Sequence, residues 1–218
     1  MSNFDCVIFD FDGTVADTGV GVFESIRYAI DKEGLPQPPD SEMHRFVGPP
    51  FKSSFPEFFP WVDEACVDRL IAWYREVYSV DGIYKFTLYD GMEELLAKLK
   101  KEGIGTAIAS SKPEFFIKQI LDKCALAKYF DVPVGADSED VDPTKADIVG
   151  KARDRLAALN CTRPLMVGDR KFDILGAKAQ KVPCAAVLFG YGSLEEFEEY
   201  GADYIVKDCA ELDKLIFG

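Results

Sequence analysis

The chain has 218 residues, 48% hydrophobic and 29% charged, which suits an ordinary globular protein with a real core and excludes a low-complexity or disordered chain. Its net charge of −13 argues against a nucleic-acid polymer or an anionic membrane surface as partner, because both are held by lysine and arginine. An anionic small substrate remains compatible only with a site that gathers positive charge locally.

The first apolar run is Cys6–Phe9, read as a buried strand. Further strand-like runs are Gly105–Ala109, Asp131–Val134, Leu165–Val167, Ala185–Leu188 and Tyr204–Val206. Helical patterns follow them or lie between them, at Gly91–Glu102, Pro113–Cys124, Pro143–Leu159, Lys171–Gln180, Leu194–Tyr200 and Ala210–Ile216. Alternation of this kind predicts an α/β fold, a Rossmann-like parallel sheet covered on both faces. One interval breaks the rhythm: residues 10–104 separate the first two strands, where a crossover needs only about a dozen residues. Within it, Val20, Phe23, Ile26, Tyr28 and Ile30 form one helical pattern, and Val62, Cys66, Leu70, Trp73, Val77 and Tyr78 another. The expected organisation is an α/β core of residues 1–16 and 86–218 with an inserted all-helical domain of residues 17–85. Asp17-Thr18-Gly19 and Asp81-Gly82 are its expected hinges.

Six cysteines lie far apart with no C-x-x-C pair, which predicts reduced thiols and a cytoplasmic protein. No apolar run is long enough to span a bilayer, and no basic segment followed by an apolar block suggests a secretion signal.

Three of the strands end in polar residues where ligands of open α/β sheets bind. The first runs into Asp10-Phe11-Asp12-Gly13-Thr14, the second into Ser110-Ser111-Lys112-Pro113, and the fourth into Gly168-Asp169 with Asp173 beyond. In an extended chain Asp10 and Asp12 point to one side, and like charges so close need a cation, a shared proton or a reaction. Taken singly, Asp169 and Ser111 read as helix N-caps and Asp173 as first-turn charge. Together they place four carboxylates and a hydroxyl around one sheet edge, a donor set suited to Mg²⁺. Asp142-Pro143-Thr144-Lys145 reads as N-cap, proline at the first helical position and lysine in the first turn. A cation there opposes the helix dipole, by roughly 0.3–1 kcal/mol, unless Lys145 points at a bound anion. Glu195–Glu199 reads as a solvated acidic face.

These segments resemble the four motifs of the haloacid dehalogenase-like superfamily, in its phosphatase branch with a helical cap. D-F-D-G-T matches the first motif, Ser110 the second, Lys145 the third and G-D-x-x-x-D at Gly168–Asp173 the fourth. Val47-Gly48-Pro49-Pro50, Tyr89-Asp90-Gly91 and Ser110-Ser111-Lys112-Pro113 are similar to the phosphoglycolate phosphatase-like group. The family's third motif is often lysine followed by proline, whereas here Pro143 precedes Lys145.

The resemblance implies a Mg²⁺-dependent phosphatase for a small phosphorylated metabolite; the chain is expected as a monomer or a homodimer, which the sequence does not choose between. Asp10 is the implied nucleophile and Asp12 the acid and base. Asp10, Asp12 (through its main-chain carbonyl), Asp169 and Asp173 are the implied metal ligands. Ser110 and Lys145 are implied to bind phosphate oxygens, and Thr14 to orient Asp10 or donate from its backbone. Ser111 joins the implied substrate-binding residues. A 5′-nucleotidase, a pyrophosphatase, a sugar phosphomutase or a non-catalytic phospho-ligand binder are the alternatives. The mutase stands behind the phosphatase because the histidine position of similar mutases holds Val22. The insertion is expected to choose the substrate, with Val47–Phe51 (Gly48 among them), Arg75 and His44 as candidate contacts. Phe51, Phe55, Phe58, Phe59, Trp61 and Trp73 are expected in its core or seam.

Overall fold

The computed structural model describes residues 3–49, 51–136 and 143–218. The chain divides into two compact units, Met1–Asp17 with Leu88–Gly218, and Thr18–Thr87.

The first unit is built on a six-stranded sheet of order β5-β4-β1-β6-β7-β8, every described pair parallel. β1 is Cys6–Phe9, and all four of its residues are buried. The chain leaves through β2 (Ala16–Asp17) and comes back through β3 (Thr87–Leu88). α4 (Met92–Lys101), β4 (Gly105–Pro113), α5 (Glu114–Lys123) and β5 (Val132–Ala136) build one side of the sheet. α6 (Lys145–Ala157) then carries the chain back to β6 (Pro164–Gly168), which pairs with the other edge of β1. α7 (Lys171–Ala179), β7 (Cys184–Val187), α8 (Leu194–Tyr200), β8 (Tyr204–Val206) and α9 (Cys209–Phe217) complete the unit.

Alternation along the strands assigns the two faces of the sheet. Cys6, Ile8, Ala107, Ala109, Met166, Cys184 and Ala186 form one core with Ile148, Val149, Ala152 and Leu156 of α6 and Ile174 and Ala177 of α7. Val7, Phe9, Ile108, Leu165 and Val167 are equally buried and face the other way. Burial on both faces explains why β1 reads as a continuous apolar run. Because β4 and β6 flank β1, the winding reverses direction at β1, and the ends of these three strands form the crevice where such sheets bind ligands.

The second unit holds α1 (Gly19–Lys32), a 3₁₀ segment Asp40–Phe46, α2 (Phe51–Phe58), α3 (Glu64–Tyr78) and a 3₁₀ turn Gly82–Tyr84. The buried face of α1 is Val22, Ile26, Ala29 and Ile30; Val20 is 57% exposed, contrary to the sequence pattern. On α3 the buried residues are Val67, Leu70, Tyr74 and Tyr78, so the face is rotated from Cys66, Trp73 and Val77. Trp73 is drawn aside because its Nε1 donates to Glu33, which Arg69 also binds. Phe55 and Phe59 are buried as expected, while Trp61 is 66% exposed and belongs to no core. Gly82 is an interior contact of this unit rather than a hinge: a Cβ on Gly21 would lie 1.9 Å from the Gly82 carbonyl oxygen.

The turn into α6 differs from the sequence reading. Thr144 is the N-cap, and its hydroxyl accepts from the Asp147 amide while the Asp147 carboxylate accepts from the Thr144 amide. This reciprocal box satisfies two amides and shifts the helix start to Lys145, so Pro143 precedes the cap. Asp142, expected as the cap, lies outside the described residues.

Candidate active site

The segment after β1 turns at once. The amides of Val15 and Ala16 donate to the Phe11 carbonyl, and the Gly13 amide donates to that of Ala16. Gly13 has φ +83°, the left-handed region that glycine enters at no steric cost. A Cβ at this position would also meet Asp169 Oδ2 at 2.1 Å. Gly13→Ala is therefore expected to cost about 1–3 kcal/mol in stability and to lower activity at least tenfold. Denaturant titration and phosphate release check the two parts separately.

Three carboxylates converge above the sheet. Asp10, Asp169 and Asp173 are all buried, and one oxygen from each lies within 4.8 Å of the others. Asp10 extends β1, its amide donating to the Val167 carbonyl of β6 at 2.9 Å. Asp169 follows β6 and is held from two sides. The Thr14 hydroxyl donates to its Oδ1 at 3.3 Å, and the Tyr191 amide to its Oδ2 at 2.8 Å. Asp173 stands in the first turn of α7, where its Oδ2 accepts from the Arg170 amide at 3.0 Å. Lys145, at the first position of α6, reaches across: its Nζ is 2.7 Å from Asp10 Oδ1 and 2.8 Å from Asp173 Oδ1. The N-terminal lysine opposed to its helix dipole thus spends its charge on buried carboxylates.

Asp12 turns elsewhere. Its Oδ1 is 3.0 Å from Lys112 Nζ, with only 13% and 8% of the two side chains exposed. Its carboxylate is not one of the three that converge. Ser110 is buried beyond Ala109, and the register Phe9↔Ile108 carries Asp10 and Ser110 to the same end of the sheet. The Ser110 hydroxyl accepts from the Lys112 amide at 3.2 Å.

Several expectations change. Thr14 serves Asp169 rather than Asp10, because the turn at Gly13 swings its hydroxyl toward β6. Ser111 lies within β4 and is no cap: α5 is preceded by Pro113. Arg170, not Asp169, occupies the N-cap position of α7. Glu196 is not merely solvated, since its carboxylate accepts from the Lys171 amide at 2.6 Å and so closes the start of α7. Gly48 and Arg75 belong to the helical unit, Gly48 at φ +102° after the 3₁₀ segment and Arg75 half-buried on α3. His44 is exposed, and Pro50 lies outside the described residues.

Two contributors had no role in the sequence reading: Lys112, named only as part of the polar strand end, and Tyr191. The available signals were a third polar residue after Ser110-Ser111 and the Gly190-Tyr191-Gly192 run after β7. Small residues flank Tyr191 for a physical reason: a Cβ on Gly190 would meet Asp169 Cβ at 2.3 Å.

The electrostatics ask for a cation. Burial, then the neighbouring charges of Asp173 and Asp12, push the Asp10 carboxyl up to about 7 although Lys145 pulls it down. Burial with the charges of Asp173 and Asp10 raises Asp169 well above the ordinary carboxylate range. Burial opposes the charge on Lys145, but Asp10 and Asp173 outweigh it and raise its pKa. Asp173 Oδ1 is buried, with Lys145 Nζ at 2.8 Å as its charged neighbour. One ammonium among three buried carboxylates leaves excess negative charge in a poorly solvated place. A hard divalent ion with oxygen ligands fits this donor set.

The family model described as haloacid dehalogenase-like hydrolase matches residues 7–187. The chain belongs to this family. Like other haloacid dehalogenase-like phosphatases, it is a phosphoric monoester hydrolase. A 5′-nucleotidase of Pseudomonas aeruginosa is 31% identical over 96% of this chain and 94% of its own. The tyrosine-protein kinase PtkA of Mycobacterium tuberculosis is 33% identical over 96% of this chain and 70% of its own. The crystal structure of a predicted phosphatase from Clostridium acetobutylicum superposes with TM-score 0.88 at 38% identity, covering 97% of both chains. Among the described residues no helix is long and apolar enough to cross a membrane.

Proposed function

We propose that this haloacid dehalogenase-like phosphatase hydrolyses a small phosphoglycolate-like metabolite through a phosphorylated Asp10, in the cytoplasm. The supporting observation is the buried Asp10, bridged by Lys145 to Asp173, at the point where the sheet reverses its winding.

In this reading an Asp10 oxygen attacks phosphorus, and the bond from phosphorus to the ester oxygen breaks. The Asp12 carboxyl gives its proton to that oxygen, which leaves as a neutral alcohol. Asp12, now a carboxylate, takes a proton from water. The water oxygen bonds to phosphorus, the bond to Asp10 breaks, and inorganic phosphate leaves. Lys145 and the Ser110 hydroxyl bind phosphate oxygens and stabilise charge on them in the transition state. Thr14 and the Tyr191 amide hold Asp169 in place. Asp10, Asp169 and Asp173, with the Asp12 main-chain carbonyl, would hold Mg²⁺, which supplies charge neutralisation at the phosphoryl group. Substrate choice is assigned to the helical unit, with Gly48 and Arg75 as its candidate residues.

A nucleoside monophosphate is the second reading, favoured by the 31% identity to a 5′-nucleotidase. The test is phosphate release from 2-phosphoglycolate, nucleoside monophosphates, sugar phosphates and pyrophosphate, ranked by kcat/KM. Preference for 2-phosphoglycolate supports the first reading, and preference for a nucleotide the second. No release from any ester, with tight binding of one, would make the chain a phospho-ligand binder. A tyrosine acceptor is tested in the same assay, since transfer to it would lower free phosphate without slowing ester consumption.

A further inference from the structure

We propose that Lys112 is a positioning residue for Asp12, fixing the carboxyl that exchanges a proton with the ester oxygen. The inference rests on the reading of Asp12 as proton donor. The sequence places Asp10 and Asp12 on one side of an extended chain, yet only Asp10 joins the carboxylate cluster. Asp12 instead meets Lys112, at 3.0 Å. The pair is desolvated, with 8% of the lysine and 13% of the aspartate side chain exposed, so it is no solvated surface bridge.

The backbone of β4 is adapted to this contact. Its register with β5 shifts between Ala109 and Pro113, the stretch that holds Ser110, Ser111 and Lys112. Such irregularities re-aim a side chain. The Ser110 hydroxyl accepts the Lys112 amide and ties the same stretch together. The two buried lysines therefore divide the work. Lys145 takes Asp10 and Asp173, and Lys112 holds Asp12 apart from the cluster. Loss of Lys112 removes this ion pair from Asp12 and leaves in place Lys145 and the Ser110 hydroxyl, which are read as binding the phosphoryl oxygens.

An ester whose alcohol is a poor leaving group needs the proton, whereas p-nitrophenolate departs without it. A positioned acid contributes on the order of 10²–10⁴-fold, and misplacing it forfeits part of that. The experiment compares kcat/KM of the Mg²⁺-loaded wild type and Lys112→Met on the best alkyl phosphate and on p-nitrophenyl phosphate. Expected is a loss of on the order of 10–100-fold for the alkyl ester and less than about threefold for the aryl ester. Lys112→Arg keeps the charge and should recover most of the alkyl activity. In an Asp12→Asn background the Lys112→Met change should cost less than about twofold, because the residue it serves is already disabled. Circular dichroism verifies each fold, and Lys112→Gln replaces Lys112→Met if the latter does not fold. Equal losses on both esters, an undiminished loss in the Asp12→Asn background, or no loss at all would overturn the proposal. A wild type that releases phosphate from neither ester would remove the phosphatase reading and this inference with it. A wild type active on both esters, with Lys112→Met unselective between them, would remove the inference alone.

Discussion

Asp10→Asn is expected to lower phosphate release by about four orders of magnitude or more while the protein stays folded. The amide is nearly isosteric, so packing at the end of β1 is kept, while the carboxylate proposed to attack phosphorus becomes a non-nucleophilic amide. Removing a nucleophile is among the largest single-residue effects in enzymes, because no neighbour substitutes for a covalent step. The effect on stability is expected to be small or favourable. Breaking a buried ion pair normally costs several kcal/mol, because it leaves one charge uncompensated. Here Lys145 keeps Asp173 at 2.8 Å, and the cluster without metal already carries more carboxylates than cations. At pH 8 in EDTA the variant should melt no lower than the wild type. Phosphate assays and thermal melts of both proteins check this. Near-normal turnover by the variant would mean that phosphorus is attacked by another group.

Removing divalent metal should abolish activity, and adding it should stabilise the protein more at pH 8 than at pH 5. In the metal-free protein the Asp10 carboxyl is pushed up to about 7 from an ordinary 3.8, chiefly by burial. The unfolded chain therefore loses this proton first as pH rises. Between about pH 4 and 7 the native state holds more protons than the unfolded state, so stability falls with increasing pH and levels off above 7. A shift of this size corresponds to a few kcal/mol at roughly 1.4 kcal/mol per pH unit. Asp169, raised chiefly by burial, acts in the same direction. Asp5 and Glu33 are shifted the opposite way, so their stabilising effect is lost only as pH falls below the ordinary carboxylate range. The interval from pH 5 to 7 accordingly isolates the buried cluster. A divalent ion takes the place of the protons, so its gain in melting temperature should grow across that interval. Melts at pH 5, 6, 7 and 8 with EDTA or Mg²⁺ decide the matter. A gain that does not vary with pH would show that the ion binds elsewhere.

Much of the fold was legible in the sequence. Cys6–Phe9, Leu194–Tyr200 and Tyr204–Val206 are elements with the same bounds in pattern and structure. Elsewhere ends moved by a few residues, as at β4, which runs on through Ser110, Ser111 and Lys112 to Pro113. The sequence reading ended that strand at the last apolar residue, but strand geometry belongs to the backbone and continues under polar side chains that line a site. The rotated faces of α1 and α3 have a similar cause. Apolar residues such as Val20 and Cys66 fit the period as well as their buried neighbours do, and only packing decides which of them is covered.

Local pattern by itself determined that the chain alternates strand and helix, and that acidic and hydroxyl residues gather at strand ends. Both follow from short-range rules, the spacing of apolar residues and the conformational demands of glycine and proline. Tertiary structure alone decided the partners. Thr14 and the Tyr191 amide hold Asp169, Lys145 joins Asp10 to Asp173, and Lys112 holds Asp12 apart. These pairs come from segments distant in sequence, and they meet because β1 lies between β4 and β6 in the sheet. Strand order is a property of the whole packed core, and no local period encodes it.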